Sequence, residues 1–85
     1  MATFAILIDD GELVATNPAA VYPNILMAMA DTLRSAAIIA AERVKEVGLQ
    51  QSLVCEVQDC ETRELREMVV SFAERAPVPQ PFIVA

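Results

Sequence analysis

The sequence predicts a two-layer α+β domain of order β-β-α-β-β, a small antiparallel sheet with one long helix on one face. Three observations carry this. A β-rich run, Thr3-Phe4-Ala5-Ile6-Leu7-Ile8, leads into the turn pair Asp10-Gly11. One long segment places apolar residues at three- and four-residue steps between Asn24 and Gly48. Two later segments, 52–59 and 65–72, alternate apolar and polar residues as half-buried strands do.

Asp10-Gly11 suits a two-residue type I′ hairpin turn, whose central residues both take positive φ. That turn pairs Asp9 with Glu12, Ile8 with Leu13, Leu7 with Val14 and Ile6 with Ala15. The second strand should be brief, because Asn17-Pro18 removes a donor and favours a turn. In the helix, Asn24 is the expected N-cap and Gly48 the residue that ends it. Leu26, Met29, Ala30, Leu33, Ala36, Ala37, Ala40, Val44 and Val47 fall within one arc of the helical wheel, which predicts the core-facing stripe. A helix over 25–47 would span roughly 35 Å.

The third strand, 52–59, sets Leu53, Cys55 and Val57 against Val54, Glu56 and Gln58. Segment 65–72 is two-sided. Met68, Val70 and Phe72 alternate as in a strand, whereas Leu65, Met68, Val69 and Phe72 also fit a helix. The alternative to a fourth strand is therefore a second helix over about 61–75, capped by Asp59 or Thr62. Residues 1–75 form the expected single domain, and 76–85, with Pro77, Pro79 and Pro81, an extended Pro-rich C-terminal tail.

Composition narrows the function classes. The chain has 85 residues and a mean hydropathy of +0.44, high for a small monomer whose large surface needs polar cover. A core of this size supplies only about 3–5 kcal/mol, so a disulfide, a metal or self-association often adds the rest, and the high hydropathy favours a dimer or a bound partner. The net charge is −6, and no basic side chain precedes Arg34. That balance argues against nucleic acid and anionic lipid, which need a basic footprint, and leaves room for a basic protein partner. The start, Met-Ala-Thr-Phe, has no basic leader region and no apolar run reaches 18 residues, which predicts a cytoplasmic protein with no membrane segment. Cys55 and Cys60 fit neither a redox pair nor a zinc site. Cys55 reads as a buried apolar residue, Cys60 as the more exposed thiol.

Enzymatic chemistry has little to work with. Without histidine the usual Ser–His and Cys–His pairs are missing, and two glycines make no phosphate loop. Ser52 and Ser71 lack a neighbouring base. The expectation is a non-enzyme without cofactor or metal. Asp9, Asp10 and Glu12 form the densest polar cluster, yet the ligand set is incomplete and a turn already accounts for Asp10-Gly11. Two readings follow. In the first, the chain is a small interaction or regulatory module that homodimerises, through Met27, Ile38 and Ile39 on the polar side of the helix or through Leu7, Val14 and Val54 on the uncovered sheet face. In the second, it is an acidic inhibitor or antitoxin-like protein whose Asp9, Asp10 and Glu12 meet a basic surface.

The layout also resembles a family. Asp10-Gly11, the Pro23-Asn24 opening before Met-Ala-Asp-Thr-Leu-Arg-Ser-Ala-Ala, and the closing pair Val-Cys-Glu-Val-Gln-Asp and Met-Val-Val-Ser-Phe-Ala are similar to a family of short uncharacterised bacterial proteins, a domain of unknown function common in soil and plant-associated bacteria. The resemblance covers residues 3–73 and implies that the last two elements form a β-hairpin, which makes 65–72 a strand. This chain departs from the family pattern in having no glycine within Glu61-Thr62-Arg63-Glu64, and Ile6 and Leu7 where aromatic residues are usual. The family implies a fold and no activity.

Overall fold

Alternation along Phe4, Ile6 and Ile8 gives the first strand one face for a core. The computed structural model, which describes residues 1–75, builds the rest of the sheet outward from that strand. The elements are β1 (Ala2–Asp9), β2 (Val14–Tyr22), α1 (Ile25–Glu42), α2 (Val44–Val47), β3 (Gln51–Asp59) and β4 (Leu65–Phe72). All neighbours are antiparallel in the order β2-β1-β3-β4, so β2 and β4 are the edges among the described residues. The two-layer ββαββ expectation is met, and no second long helix replaces the last strand. Non-local pairing decided that point: Val70 lies opposite Leu53 and Met68 opposite Cys55. Asp59 caps the hairpin turn, accepting from the N–H groups of Glu61 and Thr62 at 2.8 and 3.0 Å. Arg63 takes the left-handed φ of 67° that a glycine would otherwise supply.

The core lies between the sheet and α1. Phe4, Ile8, Leu53, Cys55 and Val57 are buried against Ala28, Ala36 and Ala40. Thr32 is buried among them, its hydroxyl donating to the Ala28 carbonyl at 2.8 Å. The repeat 28-32-36-40 of small residues lets the helix axis approach the larger side chains of the sheet. Asn24 caps α1 as expected, accepting from the Met27 N–H at 2.9 Å.

Four local expectations are corrected. The inward stripe of α1 is Ala28, Thr32, Ala36 and Ala40, about a quarter turn from the predicted one on a 100° wheel, and Leu26 and Leu33 are exposed. Ala36 and Ala40 belong to both stripes; large sheet side chains favour small helix partners, so hydrophobicity alone rotated the stripe toward the leucines. The helix is not continuous to Val47: it ends at Glu42, and Arg43, at φ −93° and ψ 0°, separates it from the single turn of α2 before Gly48 takes φ +82°. The hairpin register also differs, since Asp9 pairs with Val14 and Ile8 with Ala15 across a four-residue Asp10–Leu13 loop. Asp side-chain bonds to the loop's own N–H groups outcompete the two-residue turn. Finally, β2 continues through Pro18 to Tyr22, because a bulge between Phe4 and Ile6 gives it one extra residue. The bulge exchanges its faces, turning Ala20 and Tyr22 toward the helix side, and an edge strand tolerates the missing proline N–H. The expected tail lies outside the described residues. No helix among those described is long and apolar enough to cross a membrane.

Candidate functional site

The acidic turn is built from its own backbone. Asp9 Oδ1 accepts from Gly11 N–H at 2.8 Å, and Asp10 Oδ1 accepts from Glu12 and Leu13 N–H at 2.9 and 2.7 Å. The Arg43 guanidinium stands 3.5 Å from Asp10 Oδ2 and 3.0 Å from Glu12 Oε2. The Leu13 and Glu12 N–H groups, helped by Arg43, hold the Asp10 carboxyl below the usual carboxylate range. Two of the three predicted acidic contacts are therefore met by the chain's own arginine, which ties the end of α1 to the β1–β2 loop. Sequence reasoning missed Arg43; its signal was one of two basic residues, with Lys45, near the C-terminal end of the helical segment.

The predicted interface residues divide among three places. Met27 and Ile38 stand about half exposed on the outer side of α1. Ile39 does not join them: one 100° step turns it onto the Ile8 core cluster, where it is half-buried. Leu7, Val14 and Val54 do share the sheet face away from α1, with Asp9 set directly between Val14 and Val54. In the next row Leu7 lies between Thr16 and Glu56, and Glu56 faces Glu67 across β3 and β4. That face is thus a mixture of apolar side chains and carboxylates rather than a continuous apolar patch.

A second feature was not foreseen. Strands are about 4.8 Å apart and a helix is about 10 Å across, so one helix covers roughly two of four strands. Here α1 lies over β3, with β1 and β2 beneath its other flank, and it barely reaches β4. Met68, Val70 and Phe72, which point to the helix side, stay only half-buried. Beside them a depression of about 300 Å³ is lined by Ala37, Ala40, Ala41, Val44, Leu49 and Phe72. Leu26 and Leu33 extend the exposed apolar flank of α1 beyond it.

The other flank of α1 forms a cleft of about 340 Å³ with β2, lined by Ile8, Leu13, Ala15, Ile39 and Arg43. In a neighbouring cleft of about 220 Å³ on the same flank, the Tyr22 hydroxyl donates to the Asp31 carboxylate, and that bond pushes the phenol's pKa up. A phenol held protonated in this way is not a base. Ser52 and Ser71 meet across β3 and β4, with their hydroxyls 3.3 Å apart. Cys55 is buried in the core, and Cys60 is exposed beside β1 with its N–H on the Thr3 carbonyl. No group of three or more Cys, Asp or Glu side chains among the described residues is gathered as metal ligands would be.

A scan against protein-family models finds no match, and searches of the curated proteins and of the solved structures find none either.

Proposed function

We propose that the chain is a non-enzymatic interaction module that works as a homodimer. The observation that carries this reading is the half-covered sheet. Met68, Val70 and Phe72 of β4, together with the Leu26–Leu33 flank of α1, leave an apolar trough on a chain that has little core to spare. A second copy, bringing the same trough, supplies apolar cover of the right kind, as two-fold interfaces do. The pairing of Asp10 and Glu12 with Arg43 makes the acidic turn a structural latch and draws the reading away from it.

An acidic module that occludes a basic surface is the second reading. Its support is the far sheet face, where Asp9, Glu56 and Glu67 lie among Leu7, Val54 and Val69 and the strands contribute no cation. Like charges directly opposite, as at Glu56 and Glu67, are unfavourable until a cation relieves them.

Light scattering across a hundredfold range of protein concentration tests the first reading. A dimer mass that falls toward the monomer on dilution is expected, and a strict monomer at the highest concentration refutes it. The second reading requires binding that weakens as salt rises.

A further inference from the structure

The two edges of the sheet are unlike. On β2, Pro18 has no N–H and a bulge twists the strand, both of which blunt an edge against pairing. β4 has neither: it is eight residues without proline, glycine or bulge, and it has no neighbour on its outer side among the described residues. Which of its backbone groups face outward follows from the ladder. Asp59 N–H donates to the Glu64 carbonyl at 2.9 Å, so the 59–64 pair is a hydrogen-bonded one. Bonded pairs alternate along antiparallel strands. Arg66, Met68, Val70 and Phe72 therefore bond to β3, and the N–H and C=O groups of Leu65, Glu67, Val69 and Ser71 point to the free edge.

We infer that β4 pairs antiparallel with β4 of a second copy about Val69, making one eight-stranded sheet with both α1 helices on the same face. The inference rests on the homodimer reading and assigns its geometry. Side chains choose the register. Centring on Glu67 sets two carboxylates opposite each other, which is unfavourable, and centring on Met68 sets Glu67 against Val69. Centring on Val69 pairs Val69 with its own copy, Glu67 with Ser71 and Met68 with Val70. It also uses nearly the whole of β4.

In this arrangement the two troughs adjoin. Met68, Val70 and Phe72 from both copies become one apolar floor between the two helices, so each copy completes the other's half-covered face.

Two variants test it. Val69→Cys in a Cys60→Ser background places the new thiols across the two-fold axis, where paired strands hold Cα atoms about 5.5 Å apart, within disulfide reach. Mild oxidation is expected to give a covalent dimer, while Val54→Cys in the same background, on an inner strand, gives none. Val69→Pro deletes only an outward-pointing N–H, so the β3–β4 ladder survives. Losing one such bond from each copy is expected to weaken dimerisation roughly tenfold to a hundredfold. Far-ultraviolet circular dichroism checks that this variant folds, and the cysteine variant decides alone where it does not. A wild-type dimer that neither cross-links at Val69→Cys nor weakens at Val69→Pro overturns the pairing and leaves the homodimer standing. A wild-type monomer overturns both.

Discussion

Replacing Leu53 and Leu33 separately by alanine tests which side of α1 faces the sheet, since the hydrophobic pattern and the structure disagree about it. Leu53 on β3 has 0% of its surface exposed, against 42% for Leu33. Leu→Ala removes three carbons, worth about 2.4 kcal/mol at ~0.8 kcal/mol per buried CH2. At Leu53 the vacated space is enclosed, and the cavity contribution brings the expected loss to about 3–4 kcal/mol. At Leu33, 42% exposed, rather more than half of the transfer is lost and water fills the gap, so the loss is about 1.4 kcal/mol. Urea unfolding followed by circular dichroism reads both. With a slope near 1 kcal/mol per molar, the midpoints fall by about 3–4 M and about 1.4 M. The measurement belongs at the lowest workable protein concentration, so that association adds nothing to Leu33. Equal losses, or a greater one at Leu33, would show α1 seated on its Leu26–Leu33 side and refute the packing.

Two further outcomes follow from the same geometry. Asp10 and Asp59 have carboxyls held below the usual range, chiefly by N–H groups of their own turns. A lowered pKa in the folded state means that these groups stabilise fully above the unfolded value of about 3.9 and that the contribution is lost as pH falls from there through the lower folded value. Asp10→Asn with Asp59→Asn keeps a side-chain acceptor in each turn and should flatten the loss of stability below about pH 4; an unchanged acid limb would refute the assignment. Among the thiols, Cys55 is buried and burial pushes its pKa up, whereas Cys60 is exposed. A maleimide should label Cys60 quickly and Cys55 only on unfolding, and equal rates in the native protein would contradict the core.

Much of the fold was legible because it rests on local chemistry. The Asn24 cap, the β-rich start and the alternation of Leu53, Cys55 and Val57 each depend on a residue and its near neighbours. Segment 65–72 was ambiguous for the opposite reason: its pattern fits two periods, and only pairing with Leu53 and Cys55, more than ten residues away, selects the strand. The predicted hairpin register failed because Asp9 and Asp10 could bond either to a partner or to their own loop. Distances within a loop, not residue types, decide between them.

The candidate sites divide in the same way. The sequence alone determined that the chain has no histidine, few glycines and an acidic balance, and hence that familiar catalytic constellations lack their parts. It also marked Leu7, Val14 and Val54 as sharing a face, which survives the corrected hairpin register because that register differs by two residues and side chains alternate with a period of two. Only the tertiary structure decided that Ile39 turns inward, that Arg43 takes up Asp10 and Glu12, and that α1 stops short of β4. Each of these depends on where one helix comes to rest on the sheet. That position is set by the fit of Ala28, Thr32, Ala36 and Ala40 against Phe4, Leu53 and Val57, a match of volumes across residues far apart in the chain.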